Sequence, residues 1–122
     1  MRRIAWIAAL AVLAAGCGHF AETRETHIVH SGEDAVVVHP AHELVCGALR
    51  QADVHALARA FDGGDEAAVK NLVAAGKAIE LARNTRVHVM RESYNEREIR
   101  VQEGTHTGKV VWVPFEWLRP AG

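Results

Sequence analysis

From Lys77 to the C-terminus, the apolar residues recur every second position. Ile79 and Leu81 alternate with their neighbours, as do Val87 with Val89, Ile99 with Val101, and Val111 with Val113. A side-chain period of two belongs to a strand that buries one face. Turn residues separate the four segments: Arg83-Asn84, Ser93-Tyr94-Asn95 and Gly104-Thr105-His106-Thr107-Gly108. Four short strands at about ten-residue spacing predict a small antiparallel barrel over about 77–119. Closure would remove the sheet edges. So short a barrel encloses a thin core, and further apolar surface has to come from upstream.

Upstream, the period is helical. Val54, Leu57, Ala58 and Phe61 fall at i, i+3, i+4 and i+7, with Asp53 as a cap and Asp62-Gly63-Gly64 as a stop. Asp65 caps a second helix, Val69, Leu72 and Val73 form its stripe, and Gly76 ends it. The expected fold is α+β: a helical hairpin over about 53–75 packs on one end of the C-terminal barrel. The contact is expected through Val54, Leu57, Phe61, Leu72 and Val73. Ala35-Val36-Val37-Val38-His39 suits a short strand that Pro40 ends or confines to an edge. Residues 35–122 are read as one domain, and the polar stretch 18–34 as a tether.

The N-terminus follows a different logic. Met1-Arg2-Arg3 is positive, Ile4 to Ala15 is apolar throughout, and Gly16-Cys17 follows. A positive flank, an apolar run of about a dozen residues and a small-residue cut describe a secretory signal. The run is short for a membrane span, which takes about twenty residues. Leu13-Ala14-Ala15-Gly16-Cys17 resembles the lipobox of bacterial lipoproteins, although Ala14 stands where leucine is usual. The resemblance implies that residues 1–17 form a lipoprotein signal. Cys17 would become an acylated, palmitate-bearing N-terminus that anchors the chain in a membrane. Gly18, in place of an aspartate, implies the outer membrane facing the periplasm, if the source has one. An ordinary signal peptide or a retained apolar anchor are the competing readings.

Removing Arg2 and Arg3 from the 14 basic residues leaves 12 against 15 acidic, a net of −3. A nucleic-acid partner needs a basic face, so none is expected.

Two stretches carry a second resemblance. Leu81-Ala82-Arg83-Asn84-Thr85-Arg86-Val87-His88-Val89 is similar to the part of SH3-like domains where an apolar residue precedes a turn and a strand. Gly108-Lys109-Val110-Val111-Trp112-Val113-Pro114-Phe115-Glu116-Trp117-Leu118 resembles their closing strand, which runs into a one-turn helix. Asn84 and Val111 replace the usual glycines, and Arg97-Glu98-Ile99-Arg100 stands where peptide-binding versions carry a tryptophan pair. The resemblance implies a non-catalytic module of the cell envelope that contacts peptidoglycan or a protein partner. Tyr94, Trp112, Pro114 and Trp117 would line a ligand groove; their other reading is core. Similar exported proteins would pair Cys46 with a cysteine after the second helix, but Gly76-Lys77-Ala78-Ile79 offers none.

The chain has eight histidines. His27 with His30 and His39 with His42 support an alternative reading as a periplasmic metal-binding or metal-stress protein. A site usually needs three or four converging ligands. Cys46 and His55 lack a third group or an oxyanion signature, and no phosphate loop or Gly-x-Ser-x-Gly is present. Neither an enzyme nor a cofactor is expected.

Overall fold

The computed structural model describes residues 27–122; residues 1–26, including Cys17, lie outside the described residues. Strands β1 (Asp34–Val37) and β2 (Leu44–Ala48) precede helices α1 (Val54–Asp62) and α2 (Glu66–Ala74). Then come β3 (Ala78–Ala82), β4 (Arg86–Ser93), β5 (Glu96–Val101), β6 (Val110–Pro114) and β7 (Leu118–Pro120). Single 3-10 turns, Gln51–Asp53 and Phe115–Trp117, introduce α1 and β7.

The strands form one antiparallel sheet in the order β3-β2-β6-β5-β4-β1-β7. This corrects the expected barrel, because the sheet is not closed. β3 pairs with β2, β7 pairs with β1, and the two outer strands do not meet. α2 packs against β3 at one end. At the other, β7 is three residues long and ends in Pro120, which has no N–H to extend a ladder. The four strands expected of the barrel are β3 to β6. The short strand expected at 35–39 is β1, which ends before Pro40 and pairs on both sides, with β4 and β7, rather than lying at an edge; β2 and β7 complete the sheet.

β2 was invisible to periodicity. Leu44-Val45-Cys46-Gly47-Ala48 does not alternate because four of its five residues are buried, on both faces. β6 has the same burial pattern. One face carries Val45, Val111 and Val113 with Ile99, Val101, Val87 and Val89. The other carries Cys46, Ala48 and Trp112 and is covered by α1.

α1 buries Val54, Leu57, Ala60 and Phe61, the face expected from spacing. α2 has no fully buried residue; Val69, Leu72 and Val73 are half-covered against the core. Asp65 caps α2 as expected, accepting the Ala68 N–H at 3.0 Å. Asp53 does not cap α1, and instead accepts from Arg50 Nε at 3.3 Å. Both helices end with a left-handed glycine, Gly64 at φ 68° and Gly76 at φ 75°. After each glycine the next N–H reaches back into the last turn, Asp65 to Ala60 O and Lys77 to Leu72 O, both at 2.9 Å.

Residues 27–34, expected within the tether, pack on the fold instead. Val29 is buried, and its carbonyl accepts Arg97 Nε at 2.9 Å. Glu92 accepts the Ser31 N–H at 2.9 Å, the Ser31 hydroxyl at 3.0 Å, and lies 3.2 Å from His30 Nδ1. The Ser31 N–H, then the His30 ring and the Ser31 hydroxyl, hold the Glu92 carboxyl down at about 2. A lone apolar Val29 among polar residues has no period, so the sequence pattern did not mark it.

The depressed Glu92 value means that its contribution is complete above its ordinary pKa of 4.5 and is lost as pH falls through about 2. The Ser31 amide is expected to lose hydrogen-exchange protection over that window. Glu92→Gln should weaken protection at neutral pH and remove that acid transition.

Gly47 lies against Val111, where an added Cβ would sit 2.9 Å from Val111 Cβ. Gly47→Ala is expected to destabilise by roughly 1–3 kcal/mol in urea denaturation. Val111→Ala in the same chain should recover part of that loss; additive losses would show that the two residues do not clash.

Candidate functional site

A cleft of about 260 Å³ opens where the helix pair faces the paired strands β2 and β3. Its apolar lining comes from Ala60 and Phe61 of α1, Val69 of α2, and Cys46 of β2. The small side chains Ala60 and Cys46 leave volume that a Leu in either position would occupy. Cys46 stands opposite Glu80 in the β2–β3 register, so the two side chains share the cleft-facing side of the strand pair.

The rim is acidic. Glu43, Asp65, Glu66 and Glu80 line it with Lys70 and His42. Asp65 is committed to capping α2. Among the described residues, Glu43, Glu66, Glu80 and Lys70 form no ion pair.

Cys46 is 1% exposed and, among the described residues, has no disulfide partner. Burial, reinforced by the Glu80 carboxylate, pushes its thiol up to about 12. The reactive form of cysteine is the thiolate, so this thiol is a poor nucleophile at neutral pH.

One wall of the cleft is an aromatic cluster. Phe61 meets His42 edge-on at 5.0 Å and Trp117 at 5.1 Å between ring centroids. His39 lies 4.7 Å from His42 and 5.3 Å from Trp117. Pro40-Ala41 turn the chain so that both histidines reach Phe61. The Ala41 N–H donates to His39 Nδ1 at 3.1 Å, so His39 Nε2 carries the hydrogen that faces Asp62 Oδ1 at 3.5 Å. His42 Nε2 donates to the Phe61 carbonyl at 3.3 Å.

The residues expected to line a groove are not brought together on one open surface. Trp112 is 8% and Trp117 3% exposed, both in the core cluster, and Pro114 is buried. Trp112 packs beneath Arg91, whose guanidinium lies 5.6 Å from its ring centre. Tyr94 is 94% exposed in the β4–β5 turn at φ 59°. Cys17 lies outside the described residues. His27 faces Glu33 at 3.5 Å and His30 faces Glu92, whereas His39 and His42 belong to the Phe61 cluster. Among the described residues, no group of three or more His, Cys, Asp or Glu is placed to hold a metal ion. His55 is exposed on α1 and does not line the cleft that holds Cys46.

The cleft itself was missed from sequence. Its residues come from four elements, one of them β2, and share no spacing. The available signal was the number of acidic residues at element ends: Glu43 before β2, and Asp65-Glu66 at the start of α2.

No protein-family model, curated protein or solved structure matches this chain.

In a Cys17→Ser background, Cys46 is expected to react with an aromatic disulfide reagent roughly 10²–10³-fold more slowly in native protein than in urea at neutral pH. Equal rates would show an accessible, ionised thiol.

Proposed function

We propose that this chain is an envelope lipoprotein, anchored through acylated Cys17, whose described domain is a non-catalytic SH3-like binding module. Its partner is peptidoglycan or another envelope component. The anchor rests on the apolar run ending Leu13-Ala14-Ala15-Gly16-Cys17. The SH3-like kinship is supported by the closing segment, where β6 runs through Pro114 into the one-turn helix Phe115–Trp117 and on to Leu118.

The observation that carries the binding role is the helix–sheet cleft, an open concavity with an apolar floor and a few polar groups at its rim. With Trp112 and Trp117 committed to the core, this cleft replaces the aromatic groove as the binding surface. The protonated thiol of Cys46 supports a non-catalytic role.

Two measurements test the two halves. Wild type is expected to take up labelled palmitate and partition with membranes, and Cys17→Ser to do neither; label in both, or in neither, overturns the anchor. Wild type should co-sediment with purified cell-wall sacculi, and Val69→Trp, which fills the cleft, should reduce the bound fraction by about tenfold. Equal retention of a normally folded Val69→Trp overturns the cleft as the binding surface.

A further inference from the structure

We infer that the cleft between α1, α2 and the paired strands β2 and β3 takes a cation carried on a short aliphatic stem, such as the side chain of a basic residue in a peptide. The inference rests on the reading of the domain as a binding module and deepens it; it is independent of the anchor.

Three features converge. The volume of about 260 Å³ is ample for an aliphatic side chain. The floor, made by Phe61, Val69, Ala60 and the buried Cys46 thiol, offers apolar contact to a stem. The mouth carries Glu43, Glu66 and Glu80, which form no ion pair among the described residues, against Lys70 and His42. Long basic side chains bury their methylenes and leave the charge at the surface, which is the arrangement that this floor and rim complement.

The N-terminus of α2 also opens on the cleft, and a helix N-terminus favours anions. Here it is already satisfied. Asp65 accepts the Ala68 N–H, and Glu66 occupies the first turn. The positive end therefore offsets its own two carboxylates, and Glu43 and Glu80 remain unmatched. An anionic ligand would meet them at the mouth.

The full chain in non-ionic detergent is titrated with hexylammonium, hexanol and hexanoate, which share a tail and differ in the head. Binding is followed by backbone amide shifts. Hexylammonium is expected to shift residues of β2, β3 and the start of α2, and to bind roughly tenfold more tightly than hexanol. The preference should shrink as salt rises. Glu43→Gln with Glu80→Gln should abolish it, and Lys70→Gln should strengthen it. Equal binding of hexylammonium and hexanol at the cleft overturns the cation while leaving an apolar binding cleft. Tighter binding of hexanoate also overturns it. Shifts confined to other surfaces, or none with any probe, overturn both the ligand class and the cleft.

Discussion

The fold depends on two strands that are covered on both sides. β2 and β6 are buried from their second residue onward, and Ala48 stands opposite Trp112 where they meet. A sheet of alternating strands has one apolar face and needs one cover. Once β2 and β6 are apolar on both faces, a second cover is compulsory, and α1 supplies it through Val54, Leu57 and Phe61. The connection from β2 to β3 must then carry the helices. Gly47 lets β2 lie close to Val111 on the opposite face, so the two layers share the same pair of strands. The helix pair is thus a layer of the fold and not an accessory on the end of a barrel.

The second constraint is a buried cation. Arg97 is 4% exposed, yet its guanidinium donates to the carbonyls of Val29, Tyr94 and Glu96 and lies 3.7 Å from Glu92. It also sits 5.7 Å from the centre of the Phe115 ring. A guanidinium has five donors in a fixed plane and can serve several carbonyls at once, which a lysine cannot. Removing it would leave buried carbonyls without donors in the N-terminal strap and the β4–β5 turn. This one side chain ties residues 27–33, the hairpin and the final 3-10 turn together.

How much of this was legible follows from how many faces each element buries. β4, β5 and α1 bury one face, and their periods of two and 3.6 were plain in the sequence. β2 buries two, so its apolar run lacked the alternation that marks a strand. Val29 docks as a single side chain, and one residue has no period at all. The groove expected from Tyr94, Trp112, Pro114 and Trp117 read adjacency in sequence as adjacency on a surface. Trp112 lies under the helical layer and Trp117 in the Phe61 cluster, which belong to the second cover that the pattern did not reveal. An acylation signal is different in kind, because a peptidase reads it as sequence and no packing is needed to recognise it.

The cleft also follows from the layering. α1 is pressed onto the sheet by four buried residues, while α2 leans on β3 with none. Two helices held at such different depths diverge from the sheet at their junction, and the small side chains of Ala60 and Cys46 do not fill the gap. Space of this kind loses dispersion contacts that a larger side chain would supply. The rim adds to that cost, since Glu43, Glu66 and Glu80 gather like charge without an ion pair among the described residues. Several other carboxylates of the described domain are matched: Glu98 by Arg91, Glu92 by Ser31 and His30, and Asp34 by His88. An unfilled apolar gap ringed by carboxylates without ion pairs among the described residues concentrates departures from stable packing at one place. Local departures of that kind are where binding is expected on physical grounds.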